Sequence, residues 1–246
     1  MNTFEFIIII IALILGGFTK GLTGLGLPMV SIPIMANYIG TERAVMILII
    51  PTIVLNLWLA IINRDERHAI PELPAMLLFG VPGAILGATF LYLAPDKVLD
   101  TILALWVLVY LLIRFLKKDF ELSLRARKFF SLPTGFLAGA LQSTTGISAP
   151  IIASYIDALG LNKRGYVYAV SICFATLSCA HLLALLVYKA ISTEQLITSL
   201  LAVIPAILFV QPGIYLRDVF SQRIFDVIIK MLLFIMAIQI IHRTWL

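Results

Sequence analysis

Charged residues are scarce in this sequence, and cysteine is almost absent. Asp, Glu, Lys and Arg make up 13% of the 246 residues, whereas hydrophobic residues make up 61%. The mean hydropathy is +1.07, which lies far outside the range of soluble domains and is typical of membrane proteins. Cys173 and Cys179 stand in one apolar stretch at a spacing that matches no metal or redox motif. We therefore interpret both as small packing residues.

The motifs of embedded enzymes are also missing. The sequence has no GxSxG, HExxH or P-loop pattern and no cluster of His, Cys and acidic residues, so we predict no enzyme, no metal and no cofactor. Acidic residues fall in predicted loops or near segment ends, which argues against a carboxylate proton relay. The net charge of +5 comes largely from basic residues in short loops, so it does not indicate nucleic-acid binding.

Long apolar stretches are what the chain has instead. About 20 apolar residues in a helix cross the ~30 Å hydrocarbon layer. The N-terminal run MNTFEFIIII lacks a basic n-region and a cleavage site, so we expect a retained membrane segment rather than a secretory signal. The pattern predicts an all-α polytopic membrane protein. The stretches of spanning length are 44–62, 73–93, 98–116, 165–188, 195–216 and 222–241.

Two polar interruptions break the apolar pattern at corresponding places. They read GGFTKGLTGLGLP at 16–28 and AGALQSTTGISAP at 138–150, and a shift of 122 positions superposes one on the other. We therefore predict two repeats of about five membrane segments, each opening with a Gly/Thr-rich helical hairpin. The predicted boundaries are 1–118 for the first repeat, 119–127 for a linker and 128–246 for the second repeat. The matched pairs are Gly17 with Gly139, Thr23 with Thr145, Gly24 with Gly146, and Pro28 with Pro150.

Basic residues predict the orientation of the repeats. An excess of Lys and Arg marks the cytoplasmic side of a membrane protein. The linker side holds Arg64, Arg67, Arg114, Lys117, Lys118, Arg125, Arg127, Lys128, Lys163, Arg164, Arg217 and Arg223, whereas the opposite side holds Arg43, Lys97, Lys189 and Arg243. The linker is therefore predicted to be cytoplasmic. Because five segments per repeat is an odd number, the second repeat is inverted and both termini face outward, whether the hairpins cross fully or re-enter.

Each hairpin has the features of an anion site. Gly or Ser followed by an early Pro is typical of a helix N-terminus, which presents unpaired N–H groups and a positive dipole end. Interrupted helices in inverted repeats form the midplane substrate sites of secondary transporters. Tight turns and close helix packing are the structural alternative for the same glycines. The predicted substrate-binding residues are Lys20, Thr23, Gly24, Gly26, Gln142, Ser143, Thr144, Thr145, Gly146, Ser148 and Asn56.

The same two motifs resemble a known family. GLTGLGLP at 21–28 and STTGISAP at 143–150, in two halves of a small membrane protein, are similar to the TauE/SafE family of sulfite and organosulfonate exporters. The second motif is Ser/Thr-rich rather than Gly-rich. The resemblance extends over essentially the whole chain and implies a permease of the bacterial inner membrane for small sulfur oxyanions, sulfonates or related carboxylates. The residues by themselves indicate only an anion.

The predicted function is a secondary transporter that exports such anions by alternating access around a midplane site at the two hairpin tips. Its partners are the small anion and the lipid bilayer, and a homodimer is left open. A passive anion channel is one alternative. A proton-coupled importer is the other, with His181 or the lysines as proton carriers, although a histidine within a membrane span is more commonly a packing residue with its hydrogen bonds satisfied.

Overall fold

The computed structural model describes residues 3–24, 26–68, 70–116, 122–216 and 222–246. Within these ranges the chain is 88% helix and has no strand, which confirms the all-α prediction. A 3₁₀-helix at Arg64–His68 follows α3. The α-helices are α1 Thr3–Thr23, α2 Leu27–Ile39, α3 Thr41–Ile62, α4 Leu73–Leu93, α5 Asp96–Leu116, α6 Leu124–Thr145, α7 Ala149–Asp157, α8 Lys163–Val187, α9 Thr193–Leu201, α10 Val203–Leu216 and α11 Gln222–Trp245.

Six stretches of the described chain are helical, long and apolar enough to cross a membrane. They are α1, α3, α4, α8, the α9–α10 pair over Thr193–Leu216, and Val227–Trp245 within α11. The protein is therefore a multi-pass membrane protein, as predicted. The stretch predicted to be continuous over 195–216 is interrupted at Ala202. Pro205 explains the break, because it has no N–H for the Leu201 carbonyl and its ring crowds that oxygen.

Both polar interruptions of the sequence are breaks between two helices. α1 gives way to α2 around Gly24, and α6 gives way to α7 around Gly146. The two glycines have φ angles of 78° and 71°, in the left-handed region that commonly ends a helix. Each glycine N–H donates to the carbonyl four residues earlier, to Lys20 at 2.8 Å and to Gln142 at 2.9 Å. Residues that match at a shift of 122 thus have the same local geometry.

The helices group into two compact units. One comprises Met1–Pro51, Ala94–Leu116 and Ser192–Leu246, and the other comprises Thr52–Leu93 and Lys117–Ile191. Each unit therefore combines segments from both halves of the sequence. The predicted repeats rest on sequence similarity between the two halves of the chain, and the division into compact units does not test that similarity. The repeat boundaries therefore stay a prediction. Residues 119–121 of the predicted linker and 217–221 of a predicted cytoplasmic loop lie outside the described residues.

In the first unit, α1 packs against α2 and α10, while α11 packs against α5 and α2. Glycine permits the close approach of α1 to α10. A Cβ on Gly17 would lie 2.8 Å from the Ala206 carbonyl oxygen, and one on Gly21 would meet the carbonyl oxygen of Val210. A hydrogen bond also joins the two helices of the first hairpin: Ser31 Oγ in α2 donates to the Ala12 carbonyl in α1 at 2.7 Å. These contacts hold the end of α1 inside the unit.

In the second unit, α4 packs extensively on α6, and α8 packs on α4, α6 and α7. Glycines again line the closest contact. A Cβ on Gly83 would meet the Phe136 carbonyl oxygen, one on Gly87 that of Ala140, and one on Gly139 that of Gly80. Small residues let membrane helices approach until their backbones touch. The α4–α6 pair is therefore the rigid support on which the second hairpin is built.

A buried carboxylate joins four helices of the first unit. Asp100 in α5 accepts hydrogen bonds from Thr41, from the backbone N–H at 3.1 Å and from the hydroxyl at 2.6 Å. Its other oxygen is ion-paired with Arg243 near the end of α11. Arg243 also donates to the Ala36 carbonyl in α2 at 2.7 Å. Asp100 thus accepts hydrogen bonds from the residue that starts α3 and, through Arg243, connects α2, α5 and α11.

Asp100→Asn is expected to lower the free energy of unfolding by about 2–3 kcal/mol, because removing one partner leaves the other charge without its counterion. Thermal or denaturant unfolding of the purified protein in detergent measures this change. The matched control is Arg43→Ala, which breaks the more exposed Arg43–Glu5 pair at 3.4 Å and should change stability by less than about 1 kcal/mol. Equal effects of the two variants would contradict a structural role for Asp100.

Candidate functional site

The first hairpin buries a lysine where its first helix ends. Lys20 lies in the last turn of α1 and is only 3% exposed. Its Nζ donates to the Gly24 carbonyl at 3.4 Å, so the side chain turns toward the helix break rather than outward. The neighbouring Gly21 packs against α10, which places this turn inside the unit. A lysine within a membrane-spanning helix is costly and is a functional candidate for that reason.

The hairpin that holds this lysine also has two threonine hydroxyls and a constrained glycine. Thr23 Oγ1 donates to the Thr19 carbonyl at 2.9 Å, and Thr19 Oγ1 donates to the Leu15 carbonyl at 2.7 Å. Gly26 precedes α2 with a φ of 121°, and a Cβ there would lie 2.7 Å from the Thr19 methyl group. Only glycine therefore fits this position, because other residues avoid that φ and would also collide with Thr19.

The second hairpin has a hydrogen-bonded chain of neutral side chains in place of the lysine. Gln142, which matches Lys20 at the shift of 122, lies in the last turn of α6. Its Oε1 accepts from Ser148 Oγ at 2.6 Å, and its Nε2 donates to Ser178 Oγ in α8 at 3.2 Å. All three side chains are buried. Gln142 thus connects the start of α7 to the middle of α8.

Three further hydroxyl-bearing residues of the second motif, Ser143, Thr144 and Thr145, are also buried. Thr144 Oγ1 donates to the Gly87 carbonyl in α4 at 3.3 Å. Thr145 Oγ1 donates to the Leu141 carbonyl at 2.8 Å and accepts from the Ile147 N–H at 3.2 Å. Ser143 Oγ makes no hydrogen bond within the part of the chain that the structure describes. Thr144 and Thr145 therefore support the helix break, whereas Ser143 has an unused polar atom.

The helices that start at each break have their N-termini at these polar groups. α2 and α7 each begin with a proline in the first two positions, and in the described residues the Ser148 side chain does not cap α7. At α7 the Ile151 and Ile152 N–H groups donate to the Ser148 carbonyl, both at 3.1 Å, so what this helix start offers an anion is mainly the positive end of its dipole. The first hairpin thus places a buried lysine near a helix start, and the second places neutral donors near another, and each combination suits an oxyanion.

The predicted residues fall into two groups. Lys20, Thr23, Gly24 and Gly26 belong to the first compact unit, and the remaining seven belong to the second. Hydrogen bonds join Lys20 to Gly24 and join Gln142 to Ser148. Asn56 is buried in α3 and donates to the Thr52 carbonyl of its own helix at 2.8 Å. Its role in substrate binding stays a prediction.

Several residues that make close contacts in the structure were not among the predicted site residues. Ser178, the match of Asn56, is the direct partner of Gln142. The Gly-x-x-x-Gly spacing of close helix packing occurs at Gly17 and Gly21, at Gly83 and Gly87, and at Gly135 and Gly139, so this signal was present in the sequence. The pairing of Asp100 with Arg243 had no such signal, because 143 positions separate the two residues.

Substitution of the left-handed glycines is expected to impair transport while leaving the protein inserted. Gly146→Leu places a side chain in a conformation that disfavours L-residues by about 1–2 kcal/mol and fills the space beside the α7 N-terminus. Gly24→Leu should act in the same way through its φ of 78°, since a Cβ there meets nothing within 4 Å. Gly146→Asn is the control, because asparagine tolerates this conformation and should retain more flux. Full flux in both leucine variants would contradict a role of the breaks in binding.

The sequence matches the family model "Sulfite exporter TauE/SafE" over residues 8–240, nearly the whole chain. No curated protein and no solved structure shows significant similarity to it. The match agrees with the membrane-spanning helices of the structure and with the resemblance carried by the two hairpin motifs. The chain therefore belongs to the sulfite exporter TauE/SafE family of membrane transporters.

Proposed function

We propose that the protein is a secondary transporter that exports small sulfur oxyanions, sulfonates or related carboxylates. The proposed substrate-binding residues are those of the first hairpin, Lys20, Thr23, Gly24 and Gly26, together with Asn56 and the second-hairpin residues Gln142, Ser143, Thr144, Thr145, Gly146 and Ser148. Family membership supports a transporter of sulfur anions. The class of anion rests on this membership, whereas the direction and the mechanism are our own inference.

The burial of Lys20 is the observation that carries the proposal. A lysine that is 3% exposed in a membrane-spanning helix has lost most of its hydration, and a bound anion would replace that water with a charge-assisted hydrogen bond. Because its Nζ reaches toward Gly24 at the helix break, the lysine lies where the N-terminus of α2 also favours negative charge. The two contributions favour the same class of ligand.

The lengths of the helices support hairpins that end within the membrane. α2 has 13 residues and α7 has 9, so they are about 20 Å and 14 Å long. Both are shorter than the ~30 Å hydrocarbon layer. We infer that α2 and α7 end within the membrane, where irregular backbone is tolerated only in protein or beside a watery cavity, whereas α1, with 21 residues, is long enough to cross.

Export follows from the membrane potential. With the cytoplasm negative, an anion is driven outward by about 2.3 kcal/mol per charge per 100 mV, so outward movement requires no dedicated proton carrier. The basic residues on the linker side support a cytoplasmic linker in the bacterial inner membrane, as the positive-inside rule indicates. Alternating access of the hairpin residues to the two sides would then couple binding to export.

The inverted arrangement of the repeats predicts where each end of the chain lies. A cysteine introduced at Leu122 should be protected from an impermeant maleimide in intact cells, whereas cysteines at Thr3 and Leu246 should be labelled. The native Cys173 is buried, and the unmodified protein is the control for labelling of Cys179. Labelling of position 246 only after permeabilisation would contradict the inverted arrangement of five plus five segments.

Flux in proteoliposomes tests the proposed function. The purified protein should transport sulfite and short alkylsulfonates with saturation kinetics, and external anion should accelerate exit of labelled anion. Empty liposomes and an organic cation are the controls. Flux that rises linearly with concentration and shows no counter-transport would indicate a channel, and accumulation driven by an inward proton gradient would indicate an importer. Absence of flux for every sulfur anion and carboxylate would contradict the proposal.

A further inference from the structure

Two polar atoms in the second unit are buried without a hydrogen-bond partner among the described residues. They are Ser143 Oγ in α6 and His181 Nε2 in α8, and their residues are 0% and 2% exposed. A buried polar group without a partner costs about 1–3 kcal/mol, and such groups are rare in native proteins. Within the part of the chain that the structure describes, both atoms are therefore free to bind a ligand.

Both residues are close in sequence to the two residues of a hydrogen bond that joins two helices. Gln142 Nε2 donates to Ser178 Oγ at 3.2 Å and thereby bridges α6 and α8. Ser143 directly follows Gln142, and His181 lies three residues after Ser178, on the same face of α8. Ser148 Oγ, at the start of α7, donates to the other end of Gln142. The N-terminus of a nine-residue helix therefore adjoins the same cluster.

The donors and acceptors of this cluster favour a negatively charged ligand. The Gln142 carbonyl oxygen already accepts from Ser148, and Ser178 Oγ already accepts from Gln142. The second N–H of Gln142 and the O–H groups of Ser143 and Ser178 can still donate, as can an Nε2–H of His181. An oxyanion accepts several hydrogen bonds at once, and the dipole of α7 adds to its stabilisation.

We propose that His181 joins Ser143 as a ligand of the transported anion, each donating a hydrogen bond from its unpartnered atom to an oxyanion oxygen. This inference rests on the proposed function and extends the binding residues from the hairpin to the middle of α8. In this arrangement the second unit donates hydrogen bonds to the anion from uncharged side chains. Specificity then follows from the number and direction of substrate oxygens rather than from charge alone.

Opposite effects on affinity and on stability distinguish a ligand from a packing residue. Ser143→Ala removes an unsatisfied buried hydroxyl, so the substrate-free protein should melt at the same or a higher temperature, while affinity for sulfite falls about tenfold. Ser131→Ala is the matched control on the same helix. Ser131 Oγ is also buried but donates to the Lys128 carbonyl at 2.9 Å, so its loss should lower stability and leave affinity unchanged.

His181 is tested with two variants and a spectroscopic signal. His181→Leu should weaken sulfite binding about tenfold, whereas His181→Gln, which can place an amide N–H near the Nε2 position, should retain part of the affinity. The chain has three histidines, so selectively ¹⁵N-labelled histidine gives a simple spectrum. Addition of sulfite should shift the His181 signals and leave those of His68 and His242 in place.

Sulfite titration of the wild-type protein and these variants by calorimetry separates the two hypotheses. Wild-type binding with weaker binding in Ser143→Ala and His181→Leu is the expected result. Binding that His181→Leu retains in full, with no shift of the His181 signals, would overturn this inference, and weaker binding in Ser143→Ala would then leave the proposed function intact. A wild-type protein that binds neither sulfite nor an alkylsulfonate would overturn the proposed function, and the inference with it.

Discussion

Lys20→Ala is expected to reduce anion affinity ten- to a hundredfold. The side chain is buried at the break between α1 and α2, and a charge-assisted hydrogen bond contributes about 1.5–3 kcal/mol, at 1.4 kcal/mol per tenfold change. Lys20→Arg should retain part of the affinity, because the charge persists in a different geometry. Lys20→Glu should be inactive, since a buried carboxylate repels the substrate. Calorimetric binding of sulfite to purified protein measures all three.

The control for this series is a lysine on the surface of the same compact unit. Lys97 is exposed and lies 3.8 Å from the centre of the Trp245 ring. Lys97→Ala loses a cation–π contact of about 0.5–1 kcal/mol but should bind sulfite as the wild-type protein does. Lys20→Gln is an additional test of folding, because glutamine occupies the matching position 142. Unchanged affinity in Lys20→Ala would show that Lys20 is structural.

Gly139→Leu is expected to prevent stable folding of the second unit. A Cβ at this position would lie 2.8 Å from the Ala84 nitrogen and would also meet the Gly80 carbonyl oxygen. These atoms belong to the backbone of α4, which cannot move aside as a side chain can. Overpacking a close contact destabilises by about 1–3 kcal/mol even for a small group, so Gly139→Ala should lower the melting temperature and leucine should abolish the folded peak in size-exclusion chromatography.

An exposed residue on the same helix provides the comparison. Leu137 of α6 is an exposed side chain, and Leu137→Phe enlarges it without meeting the backbone of α4. This variant should keep the wild-type melting temperature and elution profile. If Gly139→Leu also behaved as the wild-type protein, the close packing of α4 on α6 would not be a requirement of the fold.

The features that a local pattern encodes could be predicted from the sequence. Runs of about 20 apolar residues identify helices α3, α4, α8 and α11 because spanning length is a property of each segment alone. The breaks at 24–26 and 146–148 could also be predicted, since glycine followed by an early proline defines a helix end and a new start. The family could be recognised from the same two motifs.

The features that depend on distant residues could not be predicted. The burial of Lys20 depends on α10, whose contact with α1 joins opposite ends of the chain. The Asp100–Arg243 pair depends on the packing of α5 against α11. The division into compact units, each built from both halves of the sequence, likewise follows from tertiary contacts. The unpartnered state of His181 Nε2 is visible only once its surroundings in α6 and α8 are known.

Both hairpin ends are proposed to bind the anion, and charge substitutions at the matched residues Lys20 and Gln142 test this proposal. Lys20→Glu and Gln142→Glu each place a carboxylate at the end of one hairpin. Gln195→Glu is the control, because glutamate can replace glutamine in the capping box that Gln195 forms with Ser192. In sulfite titrations by calorimetry, we expect no detectable binding to either hairpin variant and wild-type affinity for the control. Wild-type affinity in both hairpin variants would contradict binding of the anion at the hairpin ends.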